Sequence, residues 1–204
     1  MKRLALTIFL TSLLAVALTG CNEKEMKDSC NENVPKGTRD GNSYRTVKIG
    51  FQTWMAENLN VKIKGSWCYK DKESNCQKYG RLYNWAAAKA ACPAGWHLPS
   101  REEFKVLLEA VGGKDIAGKK LKSSIGWKKN SKGDDAFGFS ALPAGLKYSI
   151  ELGYDFEGRG AYFWSSTEAS RDDAYRMQLR SLKDSAILYA FNKDIGSSVR
   201  CLKD

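Results

Sequence analysis

The chain has 204 residues, of which 33 are Lys or Arg and 23 are Asp or Glu, for a formal charge of +10 at pH 7. That length holds one well-buried domain and is too short to expect two. One His and six Cys with no C-x-x-C pair leave little for a zinc centre or for imidazole-driven catalysis.

The N-terminus opens with Lys2 and Arg3, continues as an apolar run from Leu4 to Leu18, and ends in small residues. This is the build of a secretory signal peptide over residues 1–20. Leu18-Thr19-Gly20-Cys21 resembles the lipobox of bacterial lipoproteins. The resemblance implies cleavage before Cys21, acylation of that Cys, and a bilayer as its partner. Two or three acyl chains anchor stably, at roughly 0.8 kcal/mol per buried CH₂. Asn22 after the Cys points, by analogy with lipoprotein sorting in Gram-negative bacteria, to the outer membrane. Loss of Lys2 and Arg3 lowers the formal charge to +8. Export directs that charge towards anionic lipids, polysaccharides and envelope proteins, and away from nucleic acid.

Residues 22–40 are polar and bury too little to offset ordering, so 21–39 reads as a lipidated Cys and flexible tether, with the domain at 40–204. Asp40-Gly41 opens a turn. Tyr44, Thr46 and Lys48 then alternate with Val47, Ile49 and Phe51 as in a strand, and Trp54-Met55 continues the apolar pattern. A helix is expected between Arg81 and Ala91, with Leu82, Trp85, Ala86 and Ala90 on one face, stopped by Cys92-Pro93. A second starts at Ser100, where Glu103 completes a capping box. Phe104, Leu107, Leu108 and Val111 form its apolar face, and Gly112-Gly113 ends it. A short third helix fits Ile116–Lys122. The Lys-rich run 114–132 reads as a solvated face.

From Phe137 onward Gly, aromatic and β-branched residues dominate. Strands are expected at Tyr162–Ser165, Ala174–Arg180, Ala186–Asn192 and Ser198–Leu202, the middle two joined around Leu182-Lys183-Asp184. Helices early and strands late give an α+β domain.

With Cys21 lipidated, five Cys remain in an oxidising compartment, where disulfides are the default. Cys68 and Cys76 bracket a polar segment that looks like a hairpin or loop closed by a local bridge. Joining Cys92 to Cys201 would tie the chain's end to its middle; a closed loop of about 100 residues contributes about 4–5 kcal/mol in the chain-entropy model. Cys30 is left over in the tether.

Gly80-Arg-Leu-Tyr-Asn-Trp-Ala-Ala-Ala, Cys92-Pro-Ala-Gly-Trp-His-Leu-Pro-Ser-Arg-Glu-Glu-Phe, Tyr162-Phe-Trp-Ser-Ser-Thr and Ser198-Val-Arg-Cys resemble the Fibrobacter succinogenes major paralogous domain. So do Asp40-Gly41-Asn42-Ser43-Tyr44 and Trp54-Met55-Ala56-Glu57-Asn58-Leu59, and the likeness runs collinearly over 40–204. The resemblance implies secreted or surface lipoproteins without an established activity. It also implies a C-type-lectin-like fold, two main helices packed on a twisted antiparallel β region. In that fold a bridge links the end of the first helix to the last strand, the places of Cys92 and Cys201.

Leu98-Pro99-Ser100-Arg101-Glu102-Glu103-Phe104 also looks like a stretch of the formylglycine-generating enzymes, which makes an oxidoreductase the alternative function. Those enzymes need a reactive Cys pair near the C-terminal part of the fold, where only Cys201 is present. His97, between Trp96 and Leu98, reads as a structural hydrogen-bonder. Asp134-Asp135, Asp172-Asp173 and Glu168 are the candidates for a structural calcium, although paired Asp in loops are more often turn formers. Trp54, Trp85, Trp96 and Trp164 fall at core positions, whereas Trp67 and Trp127 lie in polar, Lys-rich surroundings and are the candidates for ligand contact. The expectation is a non-enzymatic envelope lipoprotein that binds a surface glycan or an envelope protein, without cofactor or metal.

Overall fold

The structure, a computed structural model, describes residues 43–128, 131–148 and 152–204. The expected signal peptide, Cys21, the tether with Cys30 and the Asp40-Gly41 turn lie outside these residues. Among the described residues no helix is long and apolar enough to cross a membrane.

The chain enters through β1 (Thr46–Ile49) and β2 (Gln52–Met55), an antiparallel hairpin where the alternation suggests one continuous strand. Gly50 has φ +61°, a left-handed turn position that glycine adopts without a steric penalty. The turn leaves Phe51 81% exposed, although the alternation placed it with Ile49. After β3 (Ser66–Trp67), the segment expected to be a hairpin or loop forms a 3-10 turn at Tyr69–Asp71 and the start of α1 (Glu73–Tyr79).

β4 (Leu82–Tyr83) pairs with β3, and only then does α2 (Trp85–Ala91) begin. Its cap is Asn84, whose side chain accepts from the Ala87 amide at 2.9 Å. The later start rotates the apolar face. Trp85, Ala88 and Ala91 are buried while Ala86 and Ala90 face solvent, a correction to the expected face. β5 (Trp96–His97) leads into α3 (Arg101–Ala110), which has the expected capping box and buries Phe104, Leu107 and Leu108. α4 (Lys114–Leu121) follows over much of the expected third helix.

β6 (Leu146–Lys147) and β7 (Tyr154–Asp155) form a small ribbon. Then β8 (Gly160–Glu168), β9 (Asp173–Arg180) and β10 (Ala186–Asn192) make a three-stranded antiparallel sheet, in close agreement with the expected strands. The last expected strand is shorter and sits elsewhere. β11 (Leu202–Lys203) joins the first sheet in the order β1-β2-β11-β5, with Leu202 opposite both Trp54 and His97. Ser198, just before it, bridges to Phe163 on β8, so this segment stitches the two sheets together.

The core lies between the sheets and under α3. Trp54, Phe104, Phe139 and Phe163 form one aromatic cluster, their neighbouring rings 5.4–5.8 Å apart. Met55, Tyr83, Trp85, Trp164 and Val199 form another, around the Cys92–Cys201 bridge. Each large side chain buried this way contributes about 1.5–3 kcal/mol. The molecule is therefore an α+β domain closed by its own C-terminal strand.

Candidate functional site

A cleft of about 450 Å³ opens where five segments converge. The first wall is the pair of chains flanking the β1–β2 hairpin. The Ala56 amide donates to the Arg45 carbonyl at 2.7 Å, and the Asn60 amide donates to the Tyr44 hydroxyl at 2.9 Å. Arg45 gives both its amide and Nε to the Glu57 carboxylate, at 3.0 and 3.1 Å. The second wall is the end of α1, with Cys76, Gln77, Lys78 and Gly80. Gly80 is sterically required there: a Cβ would stand 2.7 Å from the Asn58 Cβ and 2.8 Å from two carbonyl oxygens. Ser123 to Ile125 and the Asp135–Ser140 turn close the remaining sides. In that turn the Asp135 carboxylate accepts from the Ser140 amide at 2.7 Å and the Ser140 hydroxyl at 2.6 Å.

Arg200 is wholly buried and ties these walls together. Its Nε donates to Asn58 Oδ1 at 2.8 Å, Nη1 to the Met55 and Phe139 carbonyls, and Nη2 to the Ser140 carbonyl at 3.0 Å. Burial lowers its pKa to about 9; the Glu57 and Asp135 carboxylates oppose that shift, so the side chain stays cationic at neutral pH. Asn58 is equally committed, donating to the Tyr79 carbonyl at 2.8 Å and the Ser198 hydroxyl at 3.4 Å. Asn60 differs: its side-chain oxygen is buried and has no hydrogen-bond partner. The cleft thus offers carboxylate, amide and hydroxyl groups on a rigid frame. Among the described residues no His and no free thiol lines it.

Both bridges suggested by the Cys spacing are formed, Cys68–Cys76 and Cys92–Cys201. The bond to Cys92 occupies the only Cys near the chain's C-terminal part. His97 bonds two carboxylates, Asp204 at 2.6 Å and Glu103 at 2.9 Å, and lies outside the cleft. The four Trp assigned to the core are buried.

Trp127 corrects the expectation of a surface ring. It is 8% exposed, and its indole donates to the Ser123 hydroxyl and the Ala141 carbonyl at 3.2 and 3.1 Å. The Lys-rich surroundings misled because Lys122 is itself buried, donating to the Arg180 and Lys183 carbonyls. Trp67 is half-buried with the Lys147 ammonium 4.7 Å from its ring centroid, and it does not line the cleft.

Four of the five proposed calcium ligands are engaged elsewhere, Asp173 by the Ser170 hydroxyl at 3.2 Å. Asp134 faces Lys119 and Lys120, and Asp135 holds Ser140. Glu168 and the carbonyls of Ser170 and Arg171 converge on the Lys193 ammonium, which stands where a cation would. Among the described residues the only metal-spaced group is Cys68, Glu73 and Cys76, whose sulfurs are bonded to each other. The described residues between Ala144 and Arg159 carry the β6–β7 ribbon and line no part of the cleft.

Sequence reasoning missed Arg200, Asn58, Glu57 and Asn60. Arg200 carried a signal, a charge between Val199 and Cys201 in an otherwise apolar strand-like run. The description "Fibrobacter succinogenes major domain" belongs to the family model that matches residues 47–203. No curated protein and no solved structure matches the chain.

Proposed function

The chain belongs to that family, whose description names no activity, and from that premise we propose a non-catalytic binding protein of the cell envelope. It is held at the outer membrane by lipid on Cys21 and presents the cleft to a short surface glycan. Leu18-Thr19-Gly20-Cys21 and Asn22 support the anchor and its location. A C-type-lectin-like fold is part of the proposal. It is supported by the insertion of β11 beside β2 and by the bridge from the end of α2 to the residue before β11.

The observation that carries the reading is the buried, unpartnered side-chain oxygen of Asn60, a residue lining a polar cleft in which the neighbouring Asn58 amide is saturated. A buried acceptor without a donor costs about 1–3 kcal/mol, which a ligand hydroxyl would recover. The volume lies within the ~300–1,000 Å³ range of small-ligand sites. The oxidoreductase alternative draws no support from Cys201, which is bonded to Cys92.

A glycan array probed with the full chain, followed by calorimetry on any glycan retained, tests the proposal. The wild type is expected to retain short oligosaccharides, and Asn60→Leu to bind them at least tenfold more weakly, equivalent to about 1.4 kcal/mol. An array with no retained glycan overturns it, as does Asn60→Leu binding with unchanged affinity.

A further inference from the structure

We propose that Cys68–Cys76 is a redox-reactive disulfide, reversibly opened by dithiol reductants, with Arg81 as the group that stabilises its thiolates. The Arg81 guanidinium is buried, 6% exposed, and its Nη1 points at both sulfurs, 3.4 Å from Cys68 Sγ and 3.3 Å from Cys76 Sγ. The guanidinium also bonds Ser66, from Nε to the hydroxyl at 3.0 Å and from Nη2 to the carbonyl at 3.5 Å, and Nη1 faces the exposed Glu73 carboxylate at 4.0 Å. A disulfide sulfur is a weak, neutral acceptor. A buried cation aimed at two such sulfurs gains little while the bridge is closed. Once the bridge opens, the same N–H meets a thiolate, and the contact becomes a charge-assisted hydrogen bond.

The reaction balances as thiol–disulfide exchange. A reductant thiolate attacks Cys76 Sγ, which belongs to the cleft wall, and forms a mixed disulfide. The Cys76–Cys68 bond breaks and its electron pair leaves on Cys68 Sγ, beside Arg81 Nη1. The second thiol of the reductant then attacks its own sulfur in the mixed disulfide, and the pair leaves on Cys76 Sγ, beside the same Nη1. The reductant departs as a disulfide, two electrons have passed, and the protons of its two thiols serve the two cysteines. Glu73 stands 3.3 Å from Cys68 Sγ and can accept a hydrogen bond from the protonated Cys68 thiol once the bridge is open. Its carboxylate opposes the thiolate form there, and at 71% exposure water weakens that effect.

The second bridge supplies an internal reference. Cys92 is more exposed than Cys68 or Cys76, yet no cation contacts the Cys92–Cys201 sulfurs among the described residues, and they sit in an apolar cluster. Opening Cys68–Cys76 also unfastens the middle of α1 from the segment that precedes it, so reduction weakens ligand binding in the cleft. That consequence rests on the binding function proposed above, whereas the redox chemistry stands without it.

The test equilibrates the full chain in dithiothreitol buffers of graded reduced-to-oxidised ratio, traps free thiols with an alkylating agent, and reads each bridge by peptide mass mapping. No ligand is involved, so the outcome is independent of glycan binding. Arg81→Gln is expected to shift the Cys68–Cys76 equilibrium at least tenfold towards the disulfide, a change of about 30 mV. Glu73→Gln, at an exposed position, is expected to shift it severalfold towards the dithiol. If Arg81→Gln also opens Cys92–Cys201, the fold is lost in that variant, and Glu73→Gln decides alone. Equilibria within twofold of the wild type in the folded variants overturn the proposal, as does a shift of either in the opposite direction.

Discussion

His97 holds two carboxylates at once, one from α3 and one from the residue after β11. Partial burial opposes the charged ring, but the hydrogen bonds to Asp204 and Glu103 outweigh it and hold its pKa above the ordinary value. Glu103 shows the converse. Burial pushes its carboxyl up, yet bonds from Ser100 and His97 bring it below the usual range. A raised folded-state pKa contributes stability that is complete below the unfolded value of about 6.5 and lost as pH rises through the folded value. The wild type is therefore expected to lose stability relative to His97→Gln as pH rises from about 6.5 into the alkaline range, by no more than about 1 kcal/mol, because water screens a ring more than one third exposed. Urea melts of both proteins across that interval check the sign. The structural role of His97 was legible because it is the only imidazole, in an apolar run beside Pro99. Trp127 was not legible: flanking lysines suggest solvent, and only the tertiary path of Lys122 shows that the ring is covered.

At the scale of elements, α3 was the most readable because its signals are local. The Ser100 side chain accepts from the Glu103 amide at 3.2 Å, and the Glu103 carboxylate accepts from the Ser100 amide at 2.7 Å. Ser100→Ala is expected to cost about 1 kcal/mol of unfolding free energy, within the 0.5–2 kcal/mol typical of such caps. Glu103→Ala is expected to cost more than Ser100→Ala, since it also releases His97 from α3. Denaturant melts of the two variants at one pH check the order. The strands β3 to β7 were illegible for the opposite reason. Each has two residues, too few for a period, and the pairing of β5 is set by β11, a partner distant in sequence. The cleft shares that property: its walls come from segments near residues 44, 58, 78, 124 and 135, and no stretch of sequence contains it.

Across the whole molecule, the Cys92–Cys201 bridge spans 109 residues and fastens the strand that unites both sheets. Replacing both Cys by Ala is expected to lower unfolding free energy by about 2–5 kcal/mol. The α+β class was legible from the order of helices and strands, whereas the destination of the last strand was not. Alternation alone cannot say which sheet a strand joins. β11 takes an inner position in the first sheet, between β2 and β5. Leu202 pairs with Trp54, yet 148 residues separate them. A ribosome adding about 5–20 residues per second needs roughly 7–30 s to cover that distance. Throughout that interval the nascent β2 has one unsatisfied edge and Trp54 lacks its cover, so the growing chain must be kept from associating with its neighbours until the final residues arrive.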